Sequence, residues 1–245
     1  MSPLEVGDLR SLAERLARDG GEIALAGRRS VAHAPSGDTK SSATDLVTEF
    51  DRAAEAHIVG ELRRLRPDDA IIGEEGTDDG GTSGLAWYID PIDGTTNFVY
   101  DQPAWACSVA VSCDGVMSAG AVFVPPLGEM FTAAIGRGAT CNDVPIGPSG
   151  ADELSLSLVG TGFTYRAEGR VEQAGVVTRL IGQVRDIRRL GSAAVDLCLV
   201  ACGRLDVYYE RGLNSWDAAA GELIVREAGG RTSDFTGGPA RPEEM

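Results

Sequence analysis

Between Trp87 and Phe98 the chain reads Trp-Tyr-Ile-Asp-Pro-Ile-Asp-Gly-Thr-Thr-Asn-Phe. Asp90 stands where a short apolar strand ends, and Pro91 blocks further pairing and directs the chain. Asp93, three positions on, can fold back beside Asp90. Two carboxylates held together repel unless a cation lies between them. Gly94 lets the backbone approach a ligand closely. A helix starting near Thr95 would aim free N–H groups at the same place, and such an end attracts anions. Cations and an anion site at one spot suit a phosphate ester. The competing reading is structural: Asp93 as the N-cap of a helix after an Asp-Pro turn.

Two more carboxylate elements bear on the choice. Gly73-Glu74-Glu75-Gly76 puts Glu74 at the end of a second short strand, where sites gather in α/β architectures. Trp216-Asp217-Ala218-Ala219-Ala220-Gly221 opens a helix with Asp217 in its first turn, which by itself reads as dipole-complementing capping. Together the three elements suggest oxygen ligation of Mg²⁺, a hard ion that prefers carboxylate, carbonyl and water.

The elements that must carry these residues follow from periodicity. Leu9, Leu12, Ala13, Leu16, Ala17, Ile23 and Ala24 recur at helical spacing, so a first helix runs to about Gly27. Residues 34–43 read as a loop. A second amphipathic helix carries Ala53, Ala54, His57, Ile58, Leu62 and Leu65 on one face and stops at Pro67. Short strands are expected at Ala70 to Ile72 and Trp87 to Ile89. Ser108 to Ser112 and Val116 to Val124 flank Asp114-Gly115, a hairpin signal. Glu129 to Ala134 is a further strand, and 142–153 is loop-like. Then come a strand at Ser157 to Gly160, a helix at Val171 to Ile181, a small-residue helix at Ser192 to Cys202, a strand at Leu205 to Glu210, and a helix at Trp216 to Ala228 closed by Gly229-Gly230. Interleaved strands and helices with antiparallel pairing make the class α+β, with layered sheets and helices.

Composition narrows the function classes. The chain has 245 residues, 43% hydrophobic and 24% charged, enough for a substantial core. Its formal net charge of −15 argues against a nucleic-acid binder, which usually needs a basic face. No apolar run approaches the ~18 residues of a membrane span. Met1 to Arg10 carries Glu5 and Asp8 and has no apolar core of a signal peptide, so a cytoplasmic location is expected. Five cysteines match no zinc pattern; Cys198 and Cys202, four apart on a helix, read as packing rather than ligation. His33 and His57 lie outside every motif, His33 in a loop and His57 as a partly buried helix residue. No Ser/His/Asp or Cys/His arrangement is visible.

On these motifs the sequence resembles the inositol monophosphatase family, within the wider fructose-bisphosphatase and lithium-sensitive phosphatase group. Glu74 matches the family's acidic motif, and Asp90 to Thr95 match its Asp-Pro-Ile-Asp-Gly-Thr motif without a mismatch. Trp216-Asp217, Ala219 to Gly221 and Glu227 to Gly230 match its C-terminal motif. Lys40-Ser41-Ser42, Asp45 to Thr48 and Asp51 match its N-terminal signature. Gly191 to Ala194 and Tyr208-Tyr209-Glu210 match substrate-side segments. The resemblance spans roughly residues 5 to 235.

The resemblance implies a layered αβαβα sandwich of the sugar-phosphatase type. An N-terminal subdomain, 1–148, would carry most metal ligands. A C-terminal one, 149–245, would carry Asp217 and the substrate side, and lacks the family's usual final strand and helix. It implies one Mg²⁺ on Glu74, Asp90 and the Ile92 carbonyl, a second on Asp90, Asp93 and Asp217, and a possible third near Glu74. Thr95 with Glu74 would orient and deprotonate a water, with Asp51 and Lys40 behind it. Asp93, Gly94, Thr95, Gly191, Ser192, Ala193, Glu210 and Asp217 would contact substrate. That substrate would be a small phosphorylated polyol, inositol 1-phosphate first, or an amino alcohol such as histidinol phosphate. Fructose 1,6-bisphosphate and a nucleotide 3′-phosphate are further alternatives, and a non-catalytic regulatory protein of the same fold is the reading from another class. A homodimer and lithium sensitivity are likewise implied, and neither nucleic acid nor membrane is an expected partner.

Overall fold

In a computed structural model, residues 3–31, 38–39 and 46–240 are described. Lys40 and His33 lie outside them. The first half of the chain gives α1 (Pro3–Ser30), β1 (Asp38–Thr39), β2 (Leu46–Val47), α2 (Glu49–Leu65), β3 (Ala70–Gly73), β4 (Asp78–Asp79), β5 (Leu85–Asp93), α3 (Thr95–Val99), β6 (Ala106–Cys113), β7 (Val116–Val124), β8 (Glu129–Ala134), β9 (Ala139–Cys141) and β10 (Val144–Pro145). The second half gives β11 (Leu158–Thr161), α4 (Ala167–Leu180), β12 (Asp186–Arg188), α5 (Ala193–Ala201), β13 (Val207–Tyr209) and α6 (Ser215–Glu227).

Eight strands form one sheet in the order β10-β9-β8-β7-β6-β5-β3-β4. Every pairing in it is antiparallel except β3 with β5. The β6–β7 hairpin turns at Asp114 and Gly115, whose φ of 48° and 76° are the two positive values a tight primed turn needs. One face of the sheet packs α1 and α2 through Leu16, Ile58, Leu62, Trp87 and Val109. The other packs α5 and α6 through Val122, Phe131, Ala194, Cys198, Leu223 and Ile224. Gly20 and Gly21 let α1 lie close: a Cβ there would meet Ile58 Cδ1 at 2.7 Å or Phe123 Cδ1 at 2.7 Å. Beyond α5 lies a second, parallel sheet, β12-β11-β13. α4 stands over it, with Val176 and Leu180 lining a groove shared with Val159 and Val207. The layers are therefore helices, sheet, helices, sheet, helix, as the sandwich expectation has it.

Some local expectations shift. The buried face of α2 is Asp51, Ala54, Glu55, Ile58, Val59 and Leu62. Ala53, His57 and Leu65 face solvent, so His57 is exposed rather than partly buried, 3.7 Å from Asp19. β12 was not foreseen, because it is only three residues long and Asp186 and Arg188, either side of Ile187, are charged and exposed. All five cysteines are free thiols, and Cys198 packs in the core as expected. Among the described residues no helix is long and apolar enough to cross a membrane.

Candidate active site

The one parallel joint of the large sheet creates the site. β3 and β5 run the same way side by side, so Glu74, just past β3, and Asp90, on β5, emerge at neighbouring strand ends. Strand β5 does not end at Asp90; it continues to Asp93 with a break in register. Asp90 faces Ser108 and Asp93 faces Ala106, three steps on β5 against two on β6. That is a bulge of one extra residue between Asp90 and Asp93, a stretch that contains Pro91, which has no N–H to give the ladder. In a regular strand, positions three apart point to opposite faces. The extra residue brings Asp90 and Asp93 onto the same side. The fold-back expected from an Asp-Pro turn is achieved by this bulge instead.

Short hydrogen bonds fix each carboxylate. Asp90 Oδ1 accepts from Ile92 N at 3.1 Å. Asp93 Oδ2 accepts from Ser192 Oγ at 2.6 Å and from Ala194 N at 2.6 Å, at the start of α5. Ser192 in turn caps α5 by accepting from Val195 N. Asp217 Oδ2 accepts from Asn214 N at 2.6 Å, so Asp217 caps α6 and also faces the cluster. The capping reading and the cluster reading are both true of this residue.

Gly94, at φ 94°, caps α3 where a Cβ would come 3.0 Å from Ala104 O. Thr95 Oγ1 sits within donating distance of Asp51 Oδ1 at 3.2 Å and Ile92 O at 3.1 Å. Asp51, fully buried in the first turn of α2, also accepts from Thr48 N at 2.8 Å and from the Thr48 hydroxyl. Asn97 ties α3 to the opposite wall by donating to Ala104 O at 2.6 Å and Leu190 O at 2.7 Å.

These residues line a cleft of about 420 Å³ with Glu74, Asp90, Ile92, Asp93, Gly94, Thr95 and Asp217 on one wall. Gly191, Ala193 and Glu210 are on the other. Ser192 is not in the lining; its hydroxyl is turned to Asp93. Glu210 accepts from the Tyr208 hydroxyl, and its close fit requires Gly162, where a Cβ would fall 1.7 Å from Glu210 Oε2.

Electrostatics bind the acids into one unit. Burial, then the charges of Glu74, Asp93 and Asp217, push Asp90 well above the carboxylate range. Burial pushes Asp93 up to about 7 despite the opposing bonds from Ser192 and Ala194, with Glu74 and Glu210 adding to the rise. Burial and Asp93 push Asp217 up to about 8, against the bonds from Asn214. No cationic side chain is among the main influences on these three. The donors are all oxygens: four carboxylates and the Ile92 carbonyl. That set suits a hard divalent cation, which supplies the compensation no side chain supplies. Among the described residues no three acidic, His or Cys side chains already close a cage on one point. Mg²⁺ does not require one, since it retains several waters and needs few carboxylates.

Two buried acids went unread in the sequence. Glu55, on the core face of α2, accepts from Glu75 N at 2.8 Å and Thr77 Oγ1 at 2.8 Å, and so fixes the loop that presents Glu74. Gly73 is what lets it approach: a Cβ there would sit 2.6 Å from the Glu55 carboxylate. The available signal was an acid at a core-facing helical position, four after Asp51. Asp196, on α5, is pushed up to about 8 by burial, Asp93 and Glu210. Replacing Glu55 with Gln should lower activity about ten- to a hundredfold by loosening Glu74. Steady-state kinetics at several Mg²⁺ concentrations checks this: the loss should include a raised Mg²⁺ requirement, and an unchanged requirement would count against the role.

A family model described as the inositol monophosphatase family matches residues 6–244. Inositol-1-monophosphatase of Mycobacterium bovis is 44% identical over 247 aligned positions, covering 93% of this chain and 84% of that protein. The Nus factor SuhB of Escherichia coli K12 is 42% identical over 230 positions, covering 93% and 85%. The solved structure of Mycobacterium tuberculosis SuhB superposes with a TM-score of 0.82 at 42% identity, covering 94% of this chain and 88% of that one.

Proposed function

Because the chain belongs to the inositol monophosphatase family, we propose that this phosphatase hydrolyses a small phosphate monoester with Mg²⁺, inositol 1-phosphate foremost. The observation that carries the reading is the four-carboxylate cluster beside Thr95 and Asp51 in one cleft. Glu74, Asp90 and the Ile92 carbonyl would hold one Mg²⁺, and Asp90, Asp93 and Asp217 a second; a third near Glu74 belongs to the same reading. Bound there, Mg²⁺ acidifies water and offsets charge on the phosphoryl oxygens and the leaving alkoxide.

The chain's own residues do the positioning. The Thr95 hydroxyl, within donating distance of Asp51, keeps a lone pair for a proton from the attacking water. Asp51, fixed by Thr48, holds that hydroxyl in place and receives the proton through it. Glu74, steadied through its loop by Glu55, orients the same water. Water attacks phosphorus in line, so no side chain becomes phosphorylated. Glu210 and the Gly191 and Ala193 backbone face the alcohol half of the ester. Lys40 stays in the reading as a partner of Asp51. Lithium inhibition and a homodimer rest on family membership.

Phosphate release from inositol 1-phosphate, histidinol phosphate, fructose 1,6-bisphosphate and a nucleotide 3′-phosphate, with Mg²⁺ or EDTA, tests the proposal. Magnesium-dependent turnover of inositol 1-phosphate above histidinol phosphate is the expected result. Histidinol phosphate leading would reassign Glu210 to an amine. Absence of turnover on every ester would favour a non-catalytic regulatory role, a reading kept because a relative 42% identical is named a Nus factor.

A further inference from the structure

Among the described residues the buried acids are Asp51, Glu55, Asp69, Asp90, Asp196 and Glu222. All but one are accounted for by their bonds. Asp51 accepts from Thr48 and Thr95, Glu55 from Glu75 N and Thr77, and Asp69 from Arg66, Ser83 and Trp87. Asp90 accepts from Ile92 N and Glu222 from Thr232. Asp196 is 1% exposed, and its Oδ1 accepts no hydrogen bond among the described residues. A buried carboxyl without a donor is costly to keep.

Its surroundings connect it to the cleft. Asp196 stands one helical turn behind Ser192 and Ala193 on α5, on the same face. Opposite it runs β11, where Gly160 and Gly162, two positions apart, lie on one side of an extended chain. A Cβ at Gly160 would meet Asp196 Oδ1 at 3.2 Å, Tyr208 Cδ2 at 3.2 Å and Leu205 Cδ1 at 2.9 Å. The Asp196 carboxyl and the Tyr208 ring therefore share one notch, and Glu210 fills the next, at Gly162. The edge of an aromatic ring is its positive side, so an oxygen beside it is attracted even without a hydrogen bond. The Tyr208 hydroxyl donates to Glu210. Glu210 lines the cleft, and Asp196 and Tyr208 stand behind it.

We propose that Asp196 is a positioning residue for the alcohol half of the substrate: it wedges the Tyr208 ring, whose hydroxyl holds Glu210 in the cleft, and so favours esters that offer Glu210 a hydroxyl. This inference rests on the reading of Glu210 given above. Without the Asp196 carboxyl the ring can turn into the freed notch, and Glu210 loses its fixed direction. Chemistry at phosphorus belongs to the opposite wall and depends little on this support.

The test compares inositol 1-phosphate with p-nitrophenyl phosphate, which has no hydroxyl beside its ester. The chains are native, D196A, D196N, E210Q and the double variant D196A/E210Q. D196A should raise KM for inositol 1-phosphate about tenfold, as befits a weakened hydrogen bond to a charged group. Its kcat on p-nitrophenyl phosphate should stay within about threefold of native. D196N, which fills the same notch, should recover most of the loss. Adding D196A to E210Q should cost less than about twofold further, since both act through one contact. Equal losses on the two esters, or additive losses in the double variant, would overturn the proposal. If the native chain turns over neither ester, the monoesterase reading has failed, and Tyr208 decides this one separately. NMR with tyrosine carrying carbon-13 at Cζ, assigned through Y208F, needs no substrate. D196A should move the Tyr208 signal in the direction that E210Q moves it; a signal left in place would overturn the proposal. D196S carries the same expectations should D196A not fold.

Discussion

Asp90→Asn should lower turnover about a thousandfold and, in EDTA at pH 8, raise the melting temperature. Both effects come from one position. Asp90 is the carboxylate expected to touch both cations, and its amide keeps the shape while losing the charge. A metal clamp is worth several kcal/mol of transition-state stabilisation, and each 1.36 kcal/mol is tenfold in rate. The stability effect has the opposite sign. Without cations, Asp90 is raised by burial and by Glu74, Asp93 and Asp217, while Asp93 lies near 7 and Asp217 near 8. An acid whose folded pKa lies above its unfolded value binds more protons folded. It therefore costs nothing below about pH 4, costs progressively more as pH rises, and reaches its full cost only above its folded pKa, for Asp217 above about 8. Replacing Asp90 with an amide removes the cost tied to its raised pKa, at roughly 2–4 °C for each kcal/mol. Thermal melts at pH 5 and pH 8, with EDTA and with Mg²⁺, read the whole pattern. The native chain should lose stability from pH 5 to pH 8 in EDTA and regain it with Mg²⁺; the variant should respond less to either. A variant that melts below the native chain in EDTA at pH 8, or turns over as fast, would remove Asp90 from the centre of the cluster.

Phe98→Ala should cost about 3–5 kcal/mol, the range for a large aromatic removed from a packed core. Phe98 is fully buried with Ala24, Ile92, Val99 and Trp105. Its ring meets Trp105 edge-on at 5.1 Å and Phe50 at 5.9 Å. Ile92 lies on β5 with Asp90, Phe50 on α2 with Asp51, and Phe98 itself on α3 with Thr95, while Trp105 follows α3. The cavity therefore opens beneath the site. Activity of the fraction that remains folded should drop as well, since Thr95 depends on α3 for its place. Urea denaturation with kinetics in native buffer separates the losses. Destabilisation under about 1 kcal/mol would mean the site stands on other supports.

Much of the site was legible because its residues sit at strand ends and helix starts, which local patterns mark well. Glu74, Asp90, Asp93, Thr95 and Asp217 meet in one cleft as the motifs implied. What could not be read was the device that turns Asp90 and Asp93 the same way. A bulge is a mismatch between two strands, and the count on β6 is invisible from β5 alone. Ser192 was expected against substrate, and its hydroxyl instead serves Asp93, a partner 99 positions earlier. Glu55 was hidden for the same reason: its partners lie in a loop 20 to 22 residues on. The hairpin at Asp114-Gly115, by contrast, is a local matter of two backbone angles, and the residues declared it.

The reach of those contacts also sets an order of events in time. A tight hairpin such as β6–β7 closes within microseconds, whereas Asp93 must wait for Ser192 and Ala194, 99 and 101 residues away. Pairings that distant form slowly, because the chain's loop entropy must be overcome first. The large sheet can thus assemble while Asp217 is still remote from Asp90, and the mutual repulsion of the acids arises only as the last elements dock. In a refolding chain, secondary structure should return well before the capacity to bind a cation.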